Sequence, residues 1–468
     1  MKKFTKSVSV AFIAQIVSLL VSAFMSFFVS KFMTVEMYGY YQLFLFCTTY
    51  VGIFQLGISE GNYLENGGKL RSELDKGDLK NQFISMSIFQ IILLGILFAG
   101  ISLLETNSNK VLVYSFAILY SIAHLWVMFF GLTLQAINET EKYSVATIVG
   151  KLITLVLFVA AVIMKKGSYV VYSLVYLLGY VITGVMVACY GKEILLCKEK
   201  FHFNLREHKK TIIAGSSLLF ATLISSFIVG INRIYIERFL GIEVFGRVSM
   251  SLSLCNFFIL FAIQFGMVMF PNIINLPGEK QKTIYSILNT IMPYMAPALI
   301  IVYIPLGFLL EKWLPNYVDS IHWILIFLPY IVYEIKNQII YYTYIKILRA
   351  ERYMLRINIA AFVACAVINL ILIMTTKNVE LVFIVLNIVL IAKSFLLERK
   401  VSSSFGIGNQ DLSIIEALIC VTATFIAYHF SSPLLSLTAV LIYIILFVIQ
   451  KKRHLFDDIR ALRSDRKG

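Results

Sequence analysis

The sequence predicts an all-α integral membrane protein, and three observations support this prediction. First, 59% of the 468 residues are hydrophobic and only 14% are charged, whereas roughly a quarter of the residues of a soluble protein are charged. Second, the apolar residues form continuous blocks, and a block of about 20 residues is what a helix needs to cross a bilayer. Third, these blocks lack the short alternating pattern of barrel strands. Helices are therefore the membrane-spanning elements that the pattern favours.

Fourteen apolar blocks predict about fourteen transmembrane helices. The blocks cover residues 8–32, 40–63, 83–104, 111–134, 145–164, 169–190, 211–236, 247–271, 284–310, 320–345, 355–375, 379–397, 413–430 and 434–450. The first block follows a basic stretch, as in a signal peptide, but it is too long for the apolar region of one. We therefore interpret it as the first membrane helix. The segments between the blocks are too short to form a folded domain outside the membrane.

The distribution of lysine and arginine predicts the orientation of these helices. With the N-terminus in the cytoplasm, most of the 41 lysine and arginine residues fall in segments on the inner side. An even number of helices returns the basic C-terminal tail to that side. The net charge of +15 is thus explained by topology, and we expect no nucleic-acid partner. The prediction is a multi-pass membrane protein with both termini in the cytoplasm.

The sequence contains an internal repeat, in which two short stretches are similar at a constant offset of 207 residues. The stretch KFMTVEMYGYY, which begins at Lys31, matches RFLGIEVFGRV, which begins at Arg238, with Gly39 opposite Gly246. Six predicted helices precede the second copy, so both halves insert in the same orientation. We therefore predict two six-helix lobes related by a pseudo-two-fold axis along the membrane normal. The predicted domains are an N-terminal lobe over 1–205, a C-terminal lobe over 206–400, and helices 13 and 14 with a basic cytoplasmic tail over 401–468.

Four segments resemble the polysaccharide-repeat flippases, the Wzx-type family of O-antigen and capsule export. The first helix ends before a V-x-x-Y-G-Y-Y pattern at 35–41, and the second ends in QLGISEGNYLENG at 55–67. The second half begins with INRIYIERFLGIEVFG at 231–246, which is similar to the family's seventh helix and the loop after it. LPNYVDSIHWILIFLP at 314–329 resembles the family's connection between helices nine and ten. The superfamily also contains multidrug and toxic-compound exporters and lipid II flippases.

This resemblance implies twelve to fourteen helices in two lobes around a central cavity, and we expect the lobes to open to each side in turn. It implies transport of a polyprenyl-diphosphate-linked oligosaccharide from the inner to the outer leaflet, for surface polysaccharide biosynthesis. It also implies coupling to an ion gradient, of protons or sodium, in at least some members; we expect no other cofactor. The expected partners are the lipid-linked oligosaccharide, membrane lipids and the polysaccharide polymerase machinery.

Predicted helix 1 carries a stripe of polar residues spaced three or four apart, so that they share one helix face. The stripe consists of Gln15, Ser18, Ser22, Ser26 and Ser30. Two interpretations are open: close helix packing through small residues, or a polar wall of the substrate cavity. The repeat offset maps the first four positions onto predicted helix 7, at Thr222, Ser225, Val229 and Arg233.

Two cations are candidates for binding the substrate diphosphate by charge-assisted hydrogen bonds. Arg233 shares the face of the repeated stripe, and helix length places it near the outer interface. An arginine that extends towards lipid head groups is the alternative interpretation. Lys151 lies roughly 10 Å into predicted helix 5, and it could equally extend towards the inner interface.

Four residues are candidates for ion coupling. Glu334 in predicted helix 10 lies near the middle of the bilayer, with Asn337 on the same face. A carboxylate at that depth is a functional hypothesis by default, and a paired structural charge is the alternative. Lys336, two residues away, is expected to point to a different side of the helix. His124 and Glu60 complete the set, although a hydrogen-bonded core histidine and a rim carboxylate would explain them as well.

The sequence shows no enzyme motif, no P-loop and no metal-ligand spacing, so we expect a transporter rather than an enzyme. An ion-coupled multidrug exporter of the same superfamily is the main alternative to the flippase. Its cavity would be acidic and aromatic, whereas a diphosphate calls for arginine and lysine. A membrane-embedded sugar polymerase is a more distant alternative, because its acidic residues would ordinarily lie on a large outer loop.

Overall fold

The computed structural model describes residues 2–164, 167–202, 205–274 and 276–406, and beyond these 420–422, 424, 425 and 428. Over these residues the chain is helical, without a β-strand. Ten of the described helices are long and apolar enough to cross a membrane, or eleven if one bent pair counts as a span. The predicted all-α membrane fold is confirmed. Predicted helices 13 and 14 and the basic tail lie outside the described residues, except for the six positions 420–422, 424, 425 and 428.

The chain divides into two compact units, Met1–Ser226 and Phe227–Gly468, and the division falls within one long helix. The helices of unit 1 are α1 Lys2–Lys31, α2 Val35–Tyr50, α3 Ile58–Glu65, α4 Lys76–Leu104, α5 Ser108–Ala136, α6 Thr140–Ile163, α7 Tyr169–Tyr190 and α8 Lys192–Leu195. The long helix is α9, Leu205–Leu240. Unit 2 continues with α10 Ile242–Ile274, α11 Gly278–Ile291, α12 Met295–Trp313, α13 Val318–Lys336, α14 Tyr342–Ile347, α15 Glu351–Thr376 and α16 Val379–Ser404.

Helix starts in the two units recur at the spacing of the sequence repeat. Helix α2 begins at Val35 and α10 begins at Ile242, and the repeat offset matches these two positions to each other. The same offset matches the start of α5 at Ser108 to Pro315, which begins the short turn that leads into α13. These two pairs of starts therefore agree with the offset of the sequence repeat.

Predicted helix 2 is not continuous. After α2 the chain forms a 3-10 turn over Val51–Gln55, and Leu56 and Gly57 then adopt positive φ angles of 52° and 83°. The short helix α3 leaves this break at an angle of 59°. A Cβ atom on Gly57 would lie 2.5 Å from the backbone nitrogen of Ser216, so both the conformation and the space require glycine. The prediction of one continuous helix over 40–63 is therefore wrong. Apolar residues lie on both sides of the break, so the block gave no sign of it.

The first turns of α9 pack on α3 backbone to backbone. A Cβ atom on Gly61 would lie 2.1 Å from the carbonyl oxygen of Thr211, and one on Gly215 would lie 1.9 Å from that of Gly57. The Thr211 hydroxyl also donates a hydrogen bond to Glu65 Oε2 at 2.9 Å. Small residues of this kind let membrane helices approach closely, and here they join the start of α9 to the rest of unit 1.

Two further predicted helices are interrupted in unit 2. Predicted helix 9 is divided into α11 and α12 by a 3-10 turn over Met292–Tyr294. Predicted helix 10 contains a π-helical segment, Asn337–Tyr341, between α13 and α14. Such π-helical segments are rare and occur frequently at functional sites. This one directly follows Lys336, in the most polar part of the helix.

Candidate substrate and ion sites

The polar stripe of α1 has two parts. Ser26 and Ser30, at its C-terminal end, are buried, and the Ser30 hydroxyl donates a hydrogen bond to its own helix at the carbonyl of Phe27. Gln15 and Ser22 are exposed, and Ser18 lies half-buried between them. The C-terminal part therefore packs, whereas Gln15 and Ser22 are exposed enough to form the wall of a cavity.

The buried end of the stripe forms a hydrogen-bonded tie between α1 and α2. Gln42 on α2 donates one hydrogen bond to the Ser26 hydroxyl at 3.4 Å and another to the Tyr38 hydroxyl at 2.6 Å. Tyr38 in turn donates to the Ser26 carbonyl at 3.4 Å. Three neutral side chains thus fix the crossing of the first two helices of unit 1.

Arg233 forms the corresponding tie in unit 2. Its guanidinium donates a hydrogen bond to the Ser249 hydroxyl at 2.8 Å and lies 5.0 Å from the ring centroid of Phe245. The repeat offset matches positions 233, 245 and 249 to positions 26, 38 and 42, the three residues of the tie in unit 1. Arg233 therefore joins α9 to α10. Ser225 is half-buried on the same helix, whereas the side chain of Thr222 lies outside the described residues.

Lys151 lies deeper in its helix than the sequence predicts. Helix α6 begins at Thr140, several residues before the predicted start, so Lys151 lies about 16 Å along the helix axis and close to its middle. Its ammonium donates a hydrogen bond to the Ser22 hydroxyl at 3.3 Å and lies 5.1 Å from the ring centroid of Tyr176. No ion pair joins it to a carboxylate within the described part of the chain. Two of the predicted cavity residues, Lys151 and Ser22, are thus in contact.

A cavity with about 370 Å³ of free space, part of it open to the exterior, adjoins Lys151. Its walls come from α5, α6 and α7, and its polar lining consists of tyrosine and threonine side chains beside the lysine. The lining residues are Val127, Tyr143, Thr147, Gly150, Lys151, Thr154, Tyr176, Gly179, Tyr180 and Thr183. Aromatic rings, hydroxyl groups and one cation are therefore gathered at mid-helix depth in unit 1.

Glu334 is a paired charge in unit 2. Its Oε2 atom lies 3.7 Å from Lys393 Nζ on α16, and its Oε1 accepts a hydrogen bond from Gln338 at 2.9 Å. Lys336 forms a second pair with α16, at 3.8 Å from Glu398 Oε2. Both lysine side chains are 1% exposed. Lys336 was expected to point away from Glu334, but its long side chain also extends to α16.

Neutral hydrogen bonds extend this four-charge network. Asn289 on α11 donates to Glu398 Oε1 at 2.8 Å and accepts from the Tyr341 hydroxyl at 3.1 Å. Asn337 opens the π-helical segment, and its Oδ1 accepts from the Ser394 hydroxyl at 2.6 Å. The Asn337 amide nitrogen is buried without a hydrogen-bond partner among the described residues. Sequence reasoning found Glu334 and Asn337 but not their partners on α16, Lys393 and Ser394, because a contact between distant helices has no local signal.

His124 and Glu60 lie on either side of the break after α2. The Gln55 amide nitrogen donates a hydrogen bond to His124 Nδ1 at 2.6 Å, and the Ser59 hydroxyl donates to Gln55 Oε1 at 3.2 Å. The ring of Tyr180 stacks parallel to it at 6.0 Å. Glu60 is half-buried, and its Oε2 is buried without a hydrogen-bond partner in the described structure. Among the described residues, no group of three histidine, cysteine or acidic side chains is placed to hold a metal ion.

Sequence reasoning did not find a cluster of charges where three connections of unit 1 meet. Arg71 bonds to Glu139 at 2.9 Å, to Glu193 at 3.3 Å and to the Tyr190 carbonyl at 2.9 Å. Lys76 lies 2.7 Å from the Glu193 carboxylate. The hydrogen bond and charge of Lys76, with a contribution from Arg71, lower the pKa of Glu193 below its ordinary value. This Arg71 cluster (Arg71, Lys76, Glu139 and Glu193) joins the α3–α4, α5–α6 and α7–α9 connections.

Comparisons with known proteins identify the fold. No family model and no curated protein sequence matches the chain. Among solved structures, the lipid II flippase MurJ in an inward closed conformation is similar with a TM-score of 0.61 at 12% identity, over 97% of this chain and 100% of that one. An inward-facing multidrug resistance MATE transporter of the MOP superfamily gives 0.59 at 13% identity, over 84% of this chain and 98% of that one.

A third similar structure is a MOP superfamily transporter from Pyrococcus furiosus, described as having a binding pocket of reverse polarity that suggests a different function. Its TM-score is 0.52 at 14% identity, over 86% of this chain and 96% of that one. The chain therefore has the fold of the MOP superfamily of membrane transporters. The three similar structures are transporters or flippases rather than enzymes, and identities this low establish the fold alone.

Proposed function

We propose that this protein is a flippase for a polyprenyl-diphosphate-linked oligosaccharide. It moves this lipid from the inner to the outer leaflet of a bacterial cytoplasmic membrane, for the synthesis of a surface polysaccharide. The proposal draws on the Wzx-type motifs, on the fold shared with a lipid II flippase, and on the polarity of the embedded charges. The lobes open alternately to each side, and the polyprenyl chain stays in the lipid while the polar head group passes through the protein.

Lys151 is the observation that favours a flippase over an exporter of cationic drugs. An intramembrane cation without a carboxylate partner is costly unless its site is wet or binds an anion. Lys151 instead faces the hydroxyl of Ser22 and the rings and hydroxyls of a tyrosine-rich cavity. By contrast, the buried carboxylates of unit 2 at Glu334 and Glu398 already face lysines. That distribution suits an anionic substrate better than a cationic one.

Arg233 is the second cation that this proposal assigns to the substrate. Its guanidinium has the planar fork geometry that suits phosphate oxygens, and its contacts to Ser249 and Phe245 hold it in place at the crossing of α9 and α10. Ser18, Ser22, Gln15, Thr222 and Ser225 supply hydroxyl and amide groups for the sugar. In the same proposal, ion coupling falls to Glu60 before Glu334, because Glu334 already has a lysine as its counter-ion.

Reconstitution distinguishes the two candidate functions. Purified protein in liposomes should move a polyprenyl-diphosphate-linked oligosaccharide between leaflets, as measured by its exposure to an externally added glycosidase. The same liposomes should not accumulate or release a cationic dye under a proton or sodium gradient. Dye transport without lipid movement would refute the flippase and favour the exporter.

A further inference from the structure

The cavity beside Lys151 has the chemistry of a subsite for one particular kind of sugar. We propose that it binds a sugar ring of the transported oligosaccharide that carries one acidic group, with Lys151 as the counter-charge. This inference rests on the proposed flippase function and adds the class of substrate: an oligosaccharide with an acidic residue, such as one bearing a carboxylate. The diphosphate common to all such lipids is then bound elsewhere.

The charge of Lys151 is matched to a single anionic group. One ammonium and one hydroxyl, from Ser22, form the charged end of the cavity. A diphosphate carries more than one negative charge and would leave most of it uncompensated here, whereas a single carboxylate is neutralised by one lysine. Lysine has three N–H donors, and the hydrogen bond to Ser22 uses one of them. The others remain for a ligand.

The rest of the lining suits a sugar ring. The hydroxyls of Thr147, Thr154 and Thr183 donate back to carbonyls one turn earlier in their own helices, at 3.0, 2.7 and 3.0 Å. Of these oxygens, that of Thr147 lines the cavity as an acceptor for an O–H donor of a sugar, whereas the other two are buried against the glycines of a close helix crossing. The rings of Tyr176 and Tyr180 also line the cavity, and each has an apolar body with a hydroxyl at one edge.

A close helix crossing sets the depth of the cavity. A Cβ atom on Gly150 would lie 1.9 Å from Thr183 Oγ1, and one on Gly179 would lie 1.7 Å from Thr154 Oγ1. Helices α6 and α7 thus meet at these glycines, directly before Lys151. The free space of about 370 Å³ beside this crossing is partly open to the exterior.

The test uses two lipid-linked oligosaccharides that differ at one position. Both carry the same polyprenyl diphosphate and the same sugar sequence, except that one contains a uronic acid where the other contains the neutral hexose. Liposomes with the unchanged protein should move the acidic lipid about tenfold more efficiently, as one charge-assisted hydrogen bond would give. Lys151→Gln should abolish this preference, so that the acidic and the neutral lipid move at equal rates. Lys151→Arg should keep it.

Lys110→Gln, at the start of α5, is the matched control, because it removes a lysine of unit 1 outside the cavity; it should leave the preference intact. Equal loss of both lipids in Lys151→Gln, with normal protein level and melting temperature, would overturn the inference, because Lys151 would then serve the shared diphosphate. An unchanged preference in that variant would overturn it too. Failure of the unchanged protein to move either lipid would refute the flippase function itself.

Discussion

Position 233 shows how one place in a repeat serves two purposes. In unit 1 the equivalent position is Ser26, whose hydroxyl accepts a hydrogen bond from α2. In unit 2 the direction is reversed, because Arg233 donates from α9 to Ser249 on α10. The tie between helices is therefore present in both units, while the charge at this position occurs in unit 2 alone. Structural and transport roles at this residue can be separated by variants that keep the hydrogen bond.

Arg233→Gln keeps a donor for Ser249 but removes the charge. We expect this protein to reach the membrane at a normal level and to lose most polymer export, because a neutral amide attracts a diphosphate much less strongly than a guanidinium. Arg233→Glu should abolish export, and Arg233→Lys should retain part of it, since the charge survives without the bidentate fork. Export is measured as surface polymer in cells whose own gene has been deleted. Normal export by Arg233→Glu would exclude a role for this cation.

At the scale of elements, α13 and α16 are joined by two buried ion pairs, and removing one partner differs from removing both. A single Glu334→Gln or Lys393→Met change leaves a buried charge uncompensated, which typically costs about 3–5 kcal/mol of stability. The double variant should be close to neutral in stability. Thermal unfolding in detergent measures both effects, and non-additivity in the double variant is the expected signature.

Transport by the double variant then tests ion coupling at Glu334. The double variant should transport the substrate normally if the ion pair only joins two helices. If Glu334 instead carries the coupling ion, transport by this variant should no longer respond to an ion gradient. Because Lys393 already supplies the counter-charge, we expect normal, gradient-dependent transport. Glu60→Gln is the comparison variant in which we expect the gradient response to disappear.

The Arg71 cluster gives a prediction about pH. The pKa of Glu193 is lowered in the folded protein, so its contribution is present at neutral pH and is lost as the pH falls through that lowered pKa, below the ordinary value of 4.5. We expect the 191–202 connection to become sensitive to hydrogen exchange in this acid range. Lys76→Met should move the onset to higher pH, because the main cause of the shift is removed. An unchanged onset would contradict this account.

Hydropathy predicted the existence of the helices but not their interruptions. Apolar residues lie on both sides of Leu56 and Gly57, and a glycine within a helical pattern does not by itself mark a break, so backbone geometry is what reveals it. The π-helical segment at Asn337–Tyr341 likewise has no apolar signature. Periodicity predicts that Gln15 and Ser22 share one helix face, whereas Lys393 and Glu398 were missed because a contact between distant helices has no local signal.

At the scale of the whole molecule, topology follows from the number of helices. We predict that both termini lie in the cytoplasm, which requires an even number of spans. A reporter that is active only in the cytoplasm, fused after Lys467, should give a signal. A signal instead from a reporter that is active only outside would mean that the helix number is odd.

The glycine crossing between α3 and α9 has a consequence for how the chain is synthesised. The site on α3 around Gly57 and Gly61 is complete early, but the helix that covers it emerges from the ribosome only after α4 to α8 have been made. In a nascent chain that stops before α9, the backbone around Gly57 and Gly61 therefore stays exposed, because the α9 residues around Gly215 that cover it are absent. A fragment ending at position 204 should be degraded in cells, whereas one ending at position 240 should persist and pair with a separately expressed remainder. The useful place to divide this gene is thus after α9, and pulse-chase stability of the two fragments would decide it.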